Sequence, residues 1–113
     1  MNEVKLTSEI SDGDLCDLLT TAFEGGINYW CDKVVILNNP HGKNYASDVV
    51  PHDGTVKLLA DEEWHELTKE KLLNGVALYC QEYDEMPKTM MENHDASTAN
   101  IIVQYAIFNE VVY

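Results

Sequence analysis

Residues 11–30 constrain the fold more than any other stretch. One amphipathic helix runs into a glycine pair, and two large aromatics follow at once: Ala22-Phe23-Glu24-Gly25-Gly26-Ile27-Asn28-Tyr29-Trp30. Ser11 is placed to cap the helix, Asp14 to reach back and close a capping box, and Ile10 with Leu15 to form a hydrophobic staple. Leu15, Leu18, Leu19, Ala22 and Phe23 recur at helical spacing, which predicts a helix over residues 12–24. Gly25 sits where a left-handed C-terminal cap belongs, and the pair permits positive φ and close approach by other groups. Tyr29 and Trp30 are then either a plug for the core or the wall of a binding site.

At 113 residues the chain is long enough for one domain, residues 1–113, burying roughly two-thirds of its unfolded surface. A hydrophobic fraction of 45% fits a globular protein, and no run approaches the length of a membrane span. Met1-Asn2-Glu3-Val4-Lys5 lacks the basic start and apolar run of a signal peptide. With three widely spaced cysteines (Cys16, Cys31 and Cys80), this sets the expectation of reduced thiols in a cytoplasm.

Twenty acidic residues stand against seven basic ones, a formal net charge of −13, and every basic residue is lysine. Such a chain repels phosphates instead of displacing their counterions, which argues against direct nucleic-acid binding. Either it is an ordinary acidic protein or it docks on a basic surface, nucleic-acid mimicry included. The acids are dispersed, so mimicry has to be built by the fold.

Along the rest of the chain, an extended stretch is expected at residues 3–6, and residues 26–32 fit a strand or a short helical turn equally well. Residues 33–38 read as a strand and 39–44 as a loop. Val49-Val50 and residues 55–59 flank Pro51-His52-Asp53-Gly54, which predicts a hairpin whose second strand runs to Ala60. After a charged turn at 61–63, a short strand is expected over 64–67. Thr68 then caps a helix stapled by Leu67 and Leu72. Gly75 inside that helix costs about 1 kcal/mol relative to alanine, which implies a close contact there. Residues 84–93 read as a loop with at most a turn of helix. Met86, Met90 and Met91 are either gap-filling core or an adaptable contact surface. Asp95 caps a last helix over 96–108, with Gln104 the polar residue in its apolar pattern, and apolar residues 111–113 are expected to dock. The order predicts an α+β domain: three or four antiparallel strands with three helices packed mainly on one face. An edge or face left open would be covered by oligomerisation, as a homo-dimer or larger.

Candidate chemistry is sparse. His41, His52, His65 and His94 never take metal-ligand spacing, so neither a metal nor a cofactor is expected. Glu24, Asp95 and Glu110 stand at element ends beside apolar residues and are the weak candidates for general acid–base work in a small hydrolase. Tyr29 and Trp30, with the Gly25-Gly26 turn, suit stacking of a small nucleotide signal, although the absence of arginine counts against phosphate capture.

Two end motifs, Ala22-x-Glu24-Gly25-Gly26-x-x-Tyr29-Trp30 and Asp95-x-x-Thr98-Ala99-Asn100-x-x-x-Gln104-x-x-x-Phe108-Asn109-Glu110-x-Val112-Tyr113, make the chain resemble a family of small uncharacterised proteins. These proteins are encoded by bacteriophages, prophages and other mobile elements. The central Leu67-Thr68-x-x-Lys71-Leu72-Leu73-x-Gly75 is similar as well. The family pattern has aspartate where Asn100 stands and glycine where Asn109 stands, so the resemblance implies no carboxylate role at position 100. It implies a setting in the bacterial host cytoplasm and end motifs that meet and share a task. It thereby marks Glu24, Gly25, Gly26, Tyr29, Trp30, Asp95, Asn100, Gln104 and Glu110 as ligand- or partner-binding candidates. Together with the charge, it favours an accessory protein that binds a host defence protein with a basic surface, in the manner of an anti-CRISPR or anti-restriction inhibitor. A morphogenetic phage protein is a further alternative.

Overall fold

The computed structural model describes residues 10–113, so the extended stretch expected at 3–6 lies outside the described residues. The fold is a small α+β arrangement built on a three-stranded antiparallel sheet in the order β1-β2-β3, with β1 Lys33–Asn38, β2 Thr55–Ala60 and β3 Glu63–Leu67. Five helices accompany it among the described residues: α1 Asp12–Thr21, α2 Ala46–Val49, α3 Lys69–Glu82, α4 Pro87–Asn93 and α5 Ala96–Phe108. No helix among the described residues is long and apolar enough to cross a membrane.

Helix starts follow local capping chemistry. Ser11 and Asp14 form the capping box of α1, Thr68 accepts from the Lys71 N–H at the start of α3, and Asp95 accepts from the Thr98 N–H at the start of α5. Asn109 closes α5 with φ 62°, a left-handed conformation that asparagine tolerates better than most residues.

The end of α1 differs from expectation. The helix does not stop in a left-handed glycine cap; residues Ala22–Gly26 continue it as a π-helical turn, with the Ile27 N–H bonding to the Ala22 carbonyl. Neither Gly25 nor Gly26 has positive φ. Gly26 is required by space instead: a Cβ there would lie 2.7 Å from the Ala96 carbonyl oxygen at the start of α5. The ambiguous residues after it form a turn, in which the Cys31 N–H reaches the Ile27 carbonyl.

The expected hairpin at 49–59 does not form. Val49 and Val50 are fully buried in and after the single turn of α2, and the partner of β2 is β1. Gly54 brings the chain back so tightly that a Cβ would lie 2.5 Å from the Asn38 carbonyl oxygen and collide with Val49. Residues 87–93 are likewise a helix and not a loop, because Pro87 occupies the first turn, where its missing N–H costs nothing. Met90 is core, Met86 is exposed, and Met91 is half-buried.

The helices lie on one face of the sheet. Val56, Leu58, Ala60 and Leu67 point into the core with Leu15, Leu18, Leu19, Leu72, Val76 and Ile102. Gly75 lets α3 and α5 touch backbone to backbone, since a Cβ there would stand 2.6 Å from the Ile102 carbonyl oxygen. The outer face, with Val35 beside Lys57 and Leu59 beside Trp64, carries the Lys57 ammonium 4.3 Å above the Trp64 ring.

Candidate functional site

The two end motifs meet where the turn after α1 crosses α5. Trp30 is 5% exposed and donates its indole N–H to Asn100 Oδ1 at 2.6 Å. Gln104, one turn further along α5, donates to the same oxygen at 2.9 Å. Asn100 Nδ2 donates to the Tyr29 hydroxyl, which in turn donates to the Tyr113 backbone oxygen at 3.0 Å. Each of these donors has an acceptor, which the burial of Trp30 and Gln104 demands of their two bonds.

Gln104 is the hub. It is 0% exposed, and its Oε1 accepts from both the Val112 and Tyr113 backbone N–H groups at 2.8 Å. Residues 110–113 therefore fold back along the last turns of α5. The Tyr113 ring stacks on Trp30, Phe108 tilts against both rings, and His65 of β3 meets Phe108 edge-on. The Tyr113 hydroxyl donates to Asp61 in the β2–β3 turn. That bond to an anion, with burial second, raises the Tyr113 phenol above the ordinary tyrosine value.

The remaining candidates lie outside this network. Glu24 is exposed on the π-helical turn, and nothing within 4 Å would obstruct a Cβ at Gly25. Asp95 caps α5, and the Thr98 backbone N–H and hydroxyl hold its carboxyl below the ordinary aspartate value. Glu110 is exposed beyond the opposite end of α5. Thirteen residues of helix separate Asp95 from Glu110, about 20 Å at 1.5 Å per residue, so the two carboxylates do not flank one reacting bond. Among the described residues no group of three or more His, Cys, Asp or Glu side chains is arranged to hold a metal ion. Cys31 is buried, and burial pushes its thiol up, away from the reactive thiolate.

What the arrangement presents to solvent is a small apolar and aromatic surface. Tyr29 is 66% exposed, and Val111, Val112 and the outer edge of Tyr113 are partly open beside it. At the β2–β3 turn Asp61 bonds to the Tyr113 hydroxyl and Glu63 is close enough to act on that phenol, Glu110 adjoins Val111 in the chain, and Glu62 and Asp32 are exposed as well. The sequence motifs marked Trp30, Asn100 and Gln104, but gave no sign of Asp61. Only the fold brings the charged β2–β3 turn to the end of residues 110–113. No protein-family model, curated protein or solved structure matches this chain.

Proposed function

We propose that the chain is a phage or mobile-element accessory protein that acts by binding, without turnover, and inhibits a host defence complex of the CRISPR or restriction type by occupying a basic surface. The observation that carries this reading is the pinned display of residues 111–113. A fully buried glutamine holds their backbone so that two valines and two tyrosines stand at the surface within a rim of acids. A chain folding for stability alone gains by burying those valines, at about 25 cal/mol per Å². A rigid aromatic and apolar centre with a charged rim has the composition of a protein–protein hot spot. The sign of the rim, within a net charge of −13, selects a basic partner and steers it in. The resemblance of the end motifs to mobile-element proteins supports the setting, and a homo-dimer or larger assembly presents the face more than once.

The base-stacking reading is not favoured, because the Trp30 ring is covered by Tyr113 and Phe108.

Expression of the chain in bacteria that carry an active CRISPR or restriction system, followed by phage challenge, tests the proposal. Plaque formation is expected to recover, and to be lost when Asp61, Glu62 and Glu63 are all replaced by lysine. Binding to the purified defence complex is expected to weaken as salt rises. Salt-independent binding would sink the electrostatic mechanism. Failure to restore plaques against any such system would sink the reading.

A further inference from the structure

We infer that the edge of β1 that no strand among the described residues pairs with joins the same edge of a second copy, antiparallel about a two-fold axis at Val35, and so makes a continuous six-stranded sheet. This stands apart from the partner face described above and does not depend on it.

The first observation is where β1 is exposed. Val35 is 38%, Ile36 39% and Leu37 48% exposed. Val35 lies beside Lys57 on the outer face, whereas Ile36 lies beside the fully buried Val56 on the inner face. Exposure on both faces is what an edge without a neighbouring strand shows, and among the described residues no strand lies beside it. The second observation is that the two sheet edges are unlike. The β3 edge carries Glu63 and Glu66 in five residues, the charged side chains by which natural edges avoid pairing. The β1 edge presents Val34-Val35-Ile36-Leu37 with Lys33 at one end, and its one irregularity lies between Ile36 and Asn38.

Charge then selects the occupant. Residues 33–47 form the longest stretch of the sequence without an acid, and they include Lys33 and Lys43. Two chains of net charge −13 repel each other across most of their surfaces, and repulsion is least along this edge. Symmetry selects the register. A two-fold axis normal to a sheet keeps each face on its own side, so only residues of the same face stand opposite each other. Centred on Val35, the register places Val34 opposite the second copy's Ile36, Val35 opposite its own counterpart, and Lys33 opposite Leu37. Every central pair is then apolar, the lysine stem lies along a leucine, and the irregularity stays at the ends of the contact. So short an edge buries less than a standard interface, so association is expected at roughly micromolar to sub-millimolar dissociation constants.

Sedimentation of the full chain from about 10 μM to about 1 mM, a range that spans such constants, tests this. A monomer–dimer equilibrium is expected. Val35→Lys sets two like charges face to face at the axis and is expected to leave only monomer, with an unchanged circular dichroism spectrum because Val35 faces outward. Val35→Cys is expected, on oxidation, to give a dimer cross-linked between the two cysteines at position 35, as located by peptide mass spectrometry. A chain that stays monomeric throughout overturns the inference, including one whose β1 is free to receive a strand of another protein. A dimer that survives Val35→Lys without a 35–35 cross-link overturns it as well.

Discussion

The ring of Tyr113 lies parallel to that of Trp30, with 5.3 Å between centroids and 1° between planes. The order of causes behind this contact can be traced. Gln104 holds the backbone of Val112 and Tyr113, the backbone delivers the ring, and the ring closes over an indole already fixed by Asn100. Surface display and core packing are thus one structure, and a change in Gln104 is expected to be felt in both.

Gln104→Leu keeps the volume and removes the acceptor. The Val112 and Tyr113 N–H groups then lose their partner, and Asn100 loses one donor. A loss of about 1–3 kcal/mol is expected on chemical denaturation, the cost of buried groups left unpaired. The emission of Trp30 should also shift to the red as Tyr113 lifts away. The exposed Trp64 is best replaced by phenylalanine for this measurement. An unshifted spectrum would mean that the stack stands without its clamp.

The adjacent glycines should respond in opposite directions. Gly25→Ala meets no neighbour within 4 Å and no positive φ, so stability should rise by about 0.5–1 kcal/mol through the lower entropy of the unfolded chain. Gly26→Ala places a methyl group against the Ala96 carbonyl oxygen and should cost about 1–3 kcal/mol as α1 and α5 are forced apart. Urea midpoints of the two variants decide the matter.

The β2–β3 turn holds Asp61 at φ 50° and Glu62 at φ 65°, both left-handed and neither a glycine. Such a two-residue turn favours glycine at its second position. Glu62→Gly is expected to stabilise the chain by about 1 kcal/mol, the usual penalty for a side chain in that region. A thermal melt that moves downward would contradict this.

Stability should also depend on pH at the alkaline end through Tyr113. Its phenol is raised above the ordinary value, first by donation to Asp61 and then by burial. The neutral form is therefore favoured in the folded state. Its contribution is fully present below the unfolded tyrosine pKa of about 10 and is lost as pH rises through the folded value. Wild type should consequently lose stability faster than Tyr113→Phe above that range and show no such difference at neutral pH. Parallel denaturation series for the two proteins provide the check.

Elements signalled by local chemistry were legible in the sequence. Ser11, Thr68 and Asp95 cap the helices whose starts they mark, and β1 and β2 lie where β-branched residues cluster. The last helix runs over 96–108 as its apolar pattern and the Asp95 cap predict. What escaped the sequence depends on distant partners. Val49 and Val50 have strand propensity, but they bury as a helical turn against α1 while β2 takes β1 as its neighbour. Gly26 is explained by Ala96, far along the chain, and not by its own dihedral angles, whereas Gly25 meets no neighbour. In the site, Trp30, Asn100 and Gln104 were visible as motif positions. The second use of Gln104, as acceptor for the backbone of 112 and 113, has no local signature.

The π-helical turn at Ala22–Gly26 has a consequence for phase. Such a turn amounts to an α-helix with one residue added, and each residue of an α-helix advances the chain by about 100°. Everything after Gly26 is therefore rotated by that angle relative to a plain continuation of α1, and the rotation aims Trp30 at Asn100. Deleting the exposed Gly25 would let a plain α-helical turn replace the wide one and keep the indole on its present bearing, whereas an α-helical winding with Gly25 still in place would turn it about a quarter-circle away from its acceptor. The winding of that one turn, held open where Gly26 meets Ala96, sets the bearing of the aromatic stack.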